Sequence, residues 1–242
     1  MKQISRLTIA LVFIAFCISG GAAAQERVDL ELVLLADASR SIDDGEIRFQ
    51  RQGYAAAITH PDVLAAISYG YEQRIAVTYV EWGDEHSQEV VVPWTVISGL
   101  DSATAFANAL LAQPRLATGP NAIGSALAAV QALIEGNQIV GTRRVIDFSA
   151  DSAYSGGGIP ISVARAAALE AGIVINGLAI LCRDCESGRP IDYDLEGAFA
   201  AFIIGGPGSF VVTADGDQQF AEAVRRKLIL EIADNRIAPD QG

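Results

Sequence analysis

Runs of apolar residues of strand length alternate along the chain with longer segments of helical spacing, and this alternation constrains the fold more than any other feature. The first run, Val28–Ala36, is almost continuously apolar, which is typical of a strand buried on both faces. Further strands are predicted at Arg74–Trp82, Glu89–Val96, Arg143–Ser149, Ile173–Ile180 and Ser209–Thr213. Helices are predicted at Asp44–Ile67, Ser102–Ala112, Ile123–Ile134, Ser162–Ala171, Leu195–Phe202 and Asp217–Ile232. Because such alternation favours parallel pairing through right-handed crossovers, the sequence predicts an α/β fold with a doubly wound, mostly parallel sheet and helices on both faces.

One strand of this sheet is expected to be antiparallel and to lie at an edge. Gly83 and Asp84 form a turn signal between the second and third strands, which suggests a hairpin. The third strand contains Pro93, which has no N–H to donate to a ladder. We therefore expect the third strand to form the edge of the sheet.

The first 24 residues have the pattern of a secretion signal. Lys2 and Arg6 precede the apolar stretch Leu7–Ser19, and small residues follow up to Ala24. The apolar stretch is shorter than the about 20 residues that cross a bilayer as a helix. We expect cleavage after Ala24, leaving a periplasmic or secreted single domain, residues 25–242, that does not span the membrane. A retained anchor is the alternative.

Composition excludes several classes of protein. With 51% hydrophobic residues the chain has too much buriable surface to be disordered. Its 17 Lys and Arg against 29 Asp and Glu give a net charge of −12, which argues against nucleic acid as a partner. His60 and His86 are the only histidines, so a multi-histidine zinc site or a Ser-His-Asp triad is not expected.

In the exported chain two cysteines remain, Cys182 and Cys185, separated by two residues in a predicted loop. In an oxidising compartment such a pair forms a disulfide more often than a metal clip. The motif follows a late strand instead of opening a helix after an early one, which disfavours a thioredoxin-like redox role. We expect a structural disulfide; a redox role and a metal site are the alternatives.

Polar oxygen-bearing side chains follow the strands at which a ligand site is expected. Asp37, Ser39 and Ser41 form a D-x-S-x-S run directly after the first strand, and Asp151 follows the strand Arg143–Ser149. The third loop, Thr118–Leu127, opens the helix at Ile123 and supplies a further polar oxygen. Because doubly wound sheets bind ligands at the carboxyl ends of their strands, these groups are expected to face one another and to suit a hard cation.

These three pieces, in this order, resemble a von Willebrand factor type A domain with its metal-ion-dependent adhesion site (MIDAS). The resemblance covers the chain from Val28 to Ile232. It implies that Asp37, Ser39, Ser41, a residue of the third loop and Asp151 hold a divalent cation, with Mg²⁺ preferred and Ca²⁺ or Mn²⁺ possible. The narrower stretches that carry it resemble a branch of exported bacterial type A-like proteins whose function is unknown; they are Val77–Trp82, Arg143–Asp151, Ile175–Ile180, Ile203–Val211 and Arg225–Ala233.

The sequence departs from the family pattern at two points. Asn121 stands where the family usually has Thr, and Thr118 is the alternative ligand if the loop register differs. Ser152 follows Asp151 where Gly is common. Either difference can change the geometry of the site.

Other candidate residues have both structural and functional interpretations. Glu81 and Asp147 are acids within strands, and each is expected to be a buried hydrogen-bonded group or an outer partner of the cation site. Gly205–Gly208 reads as a turn, with an anion-binding nest as the alternative. Trp82 and Trp94 are expected to pack in the core or at the sheet edge, with a position facing a ligand as the alternative.

The function that follows is a cation-dependent binding module, not an enzyme. The cation would keep a free coordination position for an acidic side chain of a protein partner. A metal-dependent hydrolase and a structural domain with a degenerate site are the alternatives. The chain lacks an obvious general base, which disfavours the hydrolase.

Overall fold

The computed structural model describes residues 25–181, 193–215 and 217–233. Strands and helices alternate through most of this part of the chain. The elements are β1 (Glu26–Asp37), α1 (Asp44–Ile58), α2 (Pro61–Ser68), β2 (Ile75–Trp82), β3 (Gln88–Ile97), α3 (Leu100–Ala112), α4 (Ile123–Glu135), β4 (Ile139–Ala150), α5 (Ile161–Glu170), β5 (Val174–Leu181), α6 (Leu195–Phe202), β6 (Val211–Asp215) and α7 (Asp217–Ala233).

The strands form one sheet in the order β3-β2-β1-β4-β5-β6. The pairs β1–β2, β1–β4, β4–β5 and β5–β6 are parallel, and β2–β3 is antiparallel. The predicted fold class is thus confirmed, and β3 with its Pro93 lies at the edge of the sheet. The chain runs outward from β1 through β2 and β3 and then returns to β4, so the strand order switches between β1 and β4.

Two apolar layers cover the faces of the sheet. Alternate residues of β1 point to opposite faces: Leu32 and Leu34 pack with α1, α2, α3 and α7, whereas Val33 and Leu35 pack with α4, α5 and α6. The central strand is therefore buried on both faces, which explains its nearly continuous apolar sequence.

One predicted helix is divided in two. The segment predicted as a single helix, Asp44–Ile67, ends its first part at Ile58, and a second helix begins at Pro61. Proline fits the first turn of a helix because the N–H it lacks would have no partner there. The His60 side chain caps α2 by accepting a hydrogen bond from the Asp62 N–H at 3.2 Å.

The predicted signal segment, residues 1–24, and the predicted disulfide between Cys182 and Cys185 lie outside the described residues and stay predictions. Within the described ranges, no helix combines the length and apolar character needed to cross a membrane.

Candidate metal centre

The candidate centre lies where β1 and β4 end side by side. Asp37 is the last residue of β1, and Asp151 directly follows Ala150, the last residue of β4. Ala36 is in register with Ser149 across the parallel pair, so both carboxylates lie at the carboxyl ends of these two central strands. The strand order switches between β1 and β4, and doubly wound sheets bind their ligands at the carboxyl ends of the strands at such a switch.

Hydrogen bonds join the D-x-S-x-S residues to Asp151. The Ser39 N–H donates to Asp37 Oδ1 at 2.8 Å. The hydroxyls of Ser39 and Ser41 are 3.2 Å apart, and Ser41 Oγ donates to Asp151 Oδ1 at 3.3 Å. The structure therefore brings together four side chains with oxygen atoms from two segments that are distant in sequence.

The two carboxylates of this cluster are in an unfavourable environment. Asp37 is fully buried, and its Oδ2 has no hydrogen-bond donor. Burial raises the pKa of Asp37 to about 8, and the nearby charge of Asp151 adds to this effect. Burial also raises the pKa of Asp151. A buried carboxylate oxygen without a donor is costly unless a positive charge compensates it, so the cluster suits a cation chemically.

The D-x-S-x-S loop is tied at both ends. The Ala38 N–H donates to the carbonyl of Trp82, at the end of β2, at 2.9 Å. Asp43 then caps α1: its Oδ1 accepts from the N–H groups of Gly45 and Glu46, and the Glu46 side chain accepts from the Asp43 N–H. This is a capping box, which fixes where the loop stops and the helix starts.

Arg115 holds the same loop from outside, a role that the sequence analysis missed. Its guanidinium donates to the backbone carbonyls of Ala38 at 2.6 Å, Ser39 at 3.0 Å and Ile42 at 2.9 Å. It also pairs with the Asp44 carboxylate at 3.2 Å. The only available signal was a basic residue in a polar loop of an acidic chain, which does not indicate what the residue contacts.

The third loop lies beside the D-x-S-x-S loop, because the Arg40 N–H donates to the carbonyl of Gly119 at 2.8 Å. The Asn121 amide donates to the Tyr154 carbonyl at 3.3 Å. Thr118 is exposed, and its backbone N–H donates to Ser87 Oγ at 3.1 Å. Both side chains stay candidates for a further ligand.

Glu81 and Asp147 have basic partners of their own. Glu81 Oε1 lies 2.7 Å from Arg51 Nη2, and Asp147 Oδ1 lies 2.7 Å from Lys227 Nζ. All four side chains are buried. Neither acid is joined to the Asp37 cluster by these contacts.

Trp82 and the glycine-rich segment Gly205–Gly208 make contacts that indicate structural roles. The ring of Trp82 is buried and stacks on Phe148 at 5.4 Å between centroids. In the glycine-rich segment, Gly206 has a φ of 96° and its carbonyl accepts from the Ser209 N–H, as in a turn. The His86 side chain is exposed.

In the described ranges, three or more His, Cys, Asp or Glu side chains do not come together as a group that could hold a metal ion. A cation at the carboxyl ends of β1 and β4 would rely on two carboxylates and on neutral oxygens from serine and from the third loop. Such a donor set suits a hard cation and lacks the nitrogen and sulfur atoms that zinc prefers.

The sheet and its helices have the fold of a von Willebrand factor type A domain. The mussel byssus thread matrix protein PTMP1, in a structure with a zinc-occupied MIDAS, superposes with a TM-score of 0.58 at 16% identity, over 86% of this chain and 49% of that one. A von Willebrand factor type A structure from Catenulispora acidiphila gives 0.54 at 17% identity, over 85% and 43%. The pilus adhesin SpaC of Lactobacillus rhamnosus GG gives 0.57 at 13% identity, over 86% and 30%.

At these identities the likeness shows the fold alone, and the chain spans about half the length of the mussel protein. None of the curated proteins compared with the chain matches it. The chain belongs to the family described as "Protein of unknown function (DUF1194)", which it matches over residues 27–236.

Proposed function

We propose that this protein is an exported binding module that holds a divalent cation at the end of β1 and β4 and binds a protein partner through it. Asp37, Ser39, Ser41 and Asp151 would hold the cation, with Asn121 or Thr118 as a further ligand. The observation that carries the proposal is the fully buried Asp37 Oδ2, which has no donor although it lies in a cluster of oxygen atoms. A purely structural carboxylate in such a position would be expected to accept hydrogen bonds at both oxygens.

A bound cation would compensate the two carboxylates and offer a coordination position to an acidic side chain of the partner. The chain's own residues would orient that position. Arg115 holds the backbone of the D-x-S-x-S loop, and the capping box of Asp43 and Glu46 fixes its exit. Mg²⁺ suits this set best, because it prefers oxygen ligands and is commonly held by one or two carboxylates.

A binding role is favoured over hydrolysis because neither of the two histidines is placed as a base at the site. The side chain of His60 caps α2, and His86 is exposed in the hairpin turn. Asp37 and Asp151 would both be used as ligands. Export is supported by the leader pattern of residues 1–24, and two structures of similar fold come from a byssus thread protein and a pilus adhesin.

Calorimetric titration with Mg²⁺ and Mn²⁺ tests the proposal. We expect saturable binding of one cation, lost in Asp37→Asn and weakened in Ser39→Ala. Asp101→Asn is the matched control: Asp101 is exposed near the start of α3, just after β3. The last residue of β3, Ile97, pairs with Ile75 at the start of β2. Asp101 therefore lies near the amino ends of the parallel strands, at the end of the sheet opposite to the candidate site. Equal binding by the wild type and Asp37→Asn would contradict the proposal.

A further inference from the structure

A second cluster of charged and polar side chains lies between the sheet and α7. It comprises Asp147 of β4, Asn176 of β5, and Lys227 and Glu231 of α7, all of them buried. Lys227 and Asp147 are both 0% exposed. The cluster shares none of its residues with the candidate cation site and has no part in the proposed function.

Within this cluster the lysine amine lies between two carboxyl groups. Lys227 Nζ is 2.7 Å from Asp147 Oδ1 and 2.5 Å from Glu231 Oε1. Asn176 fixes the glutamate from the other side, since its Nδ2 donates to Glu231 Oε1 at 3.1 Å and its Oδ1 accepts from the Phe210 N–H at 3.2 Å. The amine, the aspartate and the glutamate are thus held together by secondary structure and by a buried amide.

The ion pair of Lys227 and Asp147 is close, but its angles do not suit a hydrogen bond. Although Nζ is 2.7 Å from Oδ1, neither oxygen of Asp147 accepts a hydrogen bond in acceptable geometry. A buried ion pair usually offsets the cost of desolvation only when its geometry is good and its remaining atoms are hydrogen-bonded. The ion pair of Lys227 and Asp147 therefore lacks the hydrogen bonds that would offset the cost of burying both charges.

The charges of the cluster also favour the neutral forms of its two acids. Two acids face one base, so full ionisation would leave a net negative charge in the core. Burial raises the pKa of Asp147, and burial together with the Asp147 charge raises the pKa of Glu231 to about 7. Proton transfer from the ammonium to the aspartate would leave a neutral amine beside a neutral carboxylic acid, the reactive forms for amide formation.

We propose that Lys227 and Asp147 are joined by an isopeptide bond that forms within the folded protein, with Glu231 as the acid and base of the reaction. The amine nitrogen of Lys227 attacks Cγ of Asp147 while the Glu231 carboxyl donates a proton to the Asp147 carbonyl oxygen. The Glu231 carboxylate then takes a proton from the nitrogen and gives it to one hydroxyl of the tetrahedral intermediate. One N–C bond forms, one C–OH bond breaks and that hydroxyl leaves as water, while the other hydroxyl returns its proton to Glu231 as the amide carbonyl forms.

Glu231 ends the reaction in its starting state, and no oxidant, cofactor or activated donor is consumed. The folded structure would lower the barrier by alignment, because well-oriented intramolecular reactions reach effective concentrations of about 10⁵ M or more. Burial excludes the water that would reverse the reaction. The product would tie α7 covalently to β4.

The mass of the intact protein tests this directly. Protein expressed from the full sequence and exported by its host is reduced, and its N-terminus is identified. Its mass is then compared with the mass of the sequence that begins at that N-terminus. The wild type is expected to be lighter by one water molecule, and so is Glu222→Gln, an exposed acid on the same helix. Glu231→Gln should fold, because Gln is nearly isosteric, and should keep the full mass.

Tryptic mapping locates the bond. In the wild type, trypsin should not cleave after Lys227, and the peptide of residues 145–165 should be found joined to that of residues 227–236. In Glu231→Gln the two peptides should be separate, with cleavage after Lys227. A reduced wild-type protein of full mass, or a loss of water that maps elsewhere, would overturn the proposal and leave the cluster as a buried ion pair.

Discussion

Asn121 and Thr118 are the two residues of the third loop that could complete the oxygen ligands of the cation. The structure places this loop beside the D-x-S-x-S segment through the bond between Arg40 and Gly119. The Asn121 amide has a backbone partner in the Tyr154 carbonyl, which leaves its side-chain oxygen available for a cation.

If Asn121 is the ligand, Asn121→Ala should weaken cation binding, whereas Asn121→Thr should preserve or strengthen it by restoring a short neutral oxygen ligand. Thr118→Ala should then have no effect. Calorimetric titration of the three variants decides. The reverse pattern, with loss in Thr118→Ala and a silent Asn121→Ala, would assign the position to Thr118.

Arg115 shapes the site without contacting the cation ligands through their side chains. Its guanidinium donates hydrogen bonds to three backbone carbonyls within and directly after the D-x-S-x-S run, those of Ala38, Ser39 and Ile42. Residues that orient metal ligands in this way typically contribute about 10- to 100-fold to metal affinity. Arg115→Ala should therefore reduce cation affinity by about that factor, measured by calorimetry.

The control for this prediction is Arg27→Ala, which removes an exposed arginine near the start of β1, where its partner is Glu72. Its cation affinity should equal that of the wild type. An Arg115→Ala protein that binds the cation as tightly as the wild type does would show that the loop keeps its shape without the guanidinium.

At the scale of elements, the ion pair of Arg51 and Glu81 joins α1 to β2. It is almost fully buried, and Arg51 also donates to the carbonyls of Gln113 and Pro114, just before the third loop. Removing one partner of a buried pair leaves the other charge uncompensated, at a cost of about 3–5 kcal/mol.

Glu81→Ala should lower the free energy of unfolding by about that amount, measured by urea denaturation. Glu89→Ala is the matched control, because Glu89 is the cross-strand partner of Glu81 in β3 but is exposed. Its effect should stay within about 0.5 kcal/mol. Similar losses for both variants would mean that the pair contributes no more than a surface charge does.

The alternation of elements was predictable because it depends on local periodicity and on short segments that punctuate the chain. The burial of β1 on both faces is visible in its own residues, and Pro93 indicated the edge strand. The break between α1 and α2 was less visible, because Val63 and Leu64 continue a helical spacing beyond Ile58 and Pro61 is compatible with a helix start as well as with a stop.

The candidate site was predictable to the extent that strand ends are. Asp37 and Asp151 follow strands, and parallel strands align their carboxyl ends at one edge. Contacts between distant segments could not be deduced: nothing near Arg115 indicates that it binds the carbonyls of residues 38–42. Similarly, nothing near Lys227 indicates that it lies between Asp147 and Glu231 in the core.

At the scale of the whole molecule, strand β4 connects the two clusters. Asp147, within the strand, contacts Lys227 of α7, and the residue after its end, Asp151, contacts Ser41 of the D-x-S-x-S loop. A covalent bond at the first position would restrain the strand that presents the second. The two proposals stay separable, because one is measured as mass and the other as cation binding.

The net charge of −12 adds a condition at this scale. The acidic side chain of the partner must approach a molecule of the same sign, and long-range repulsion opposes that approach at low ionic strength. A cation at the ends of β1 and β4 would reverse the sign locally, which is consistent with a binding site that depends on the cation.

The unfolding temperature with and without a divalent cation tests the central claim most directly. A cation that binds only the folded protein stabilises it by about 2.7 kcal/mol at a hundredfold excess over Kd, so millimolar Mg²⁺ should raise the unfolding temperature and EDTA should reverse the rise. In Asp37→Asn the cation effect should disappear, and the cation-free variant should be at least as stable as the wild type, because one of two crowded carboxylates is gone while the acceptor for the Ser39 N–H is kept. A wild type that does not respond to Mg²⁺, Ca²⁺ or Mn²⁺, together with a destabilised Asp37→Asn, would mean that Asp37 is a structural acceptor and would contradict the account.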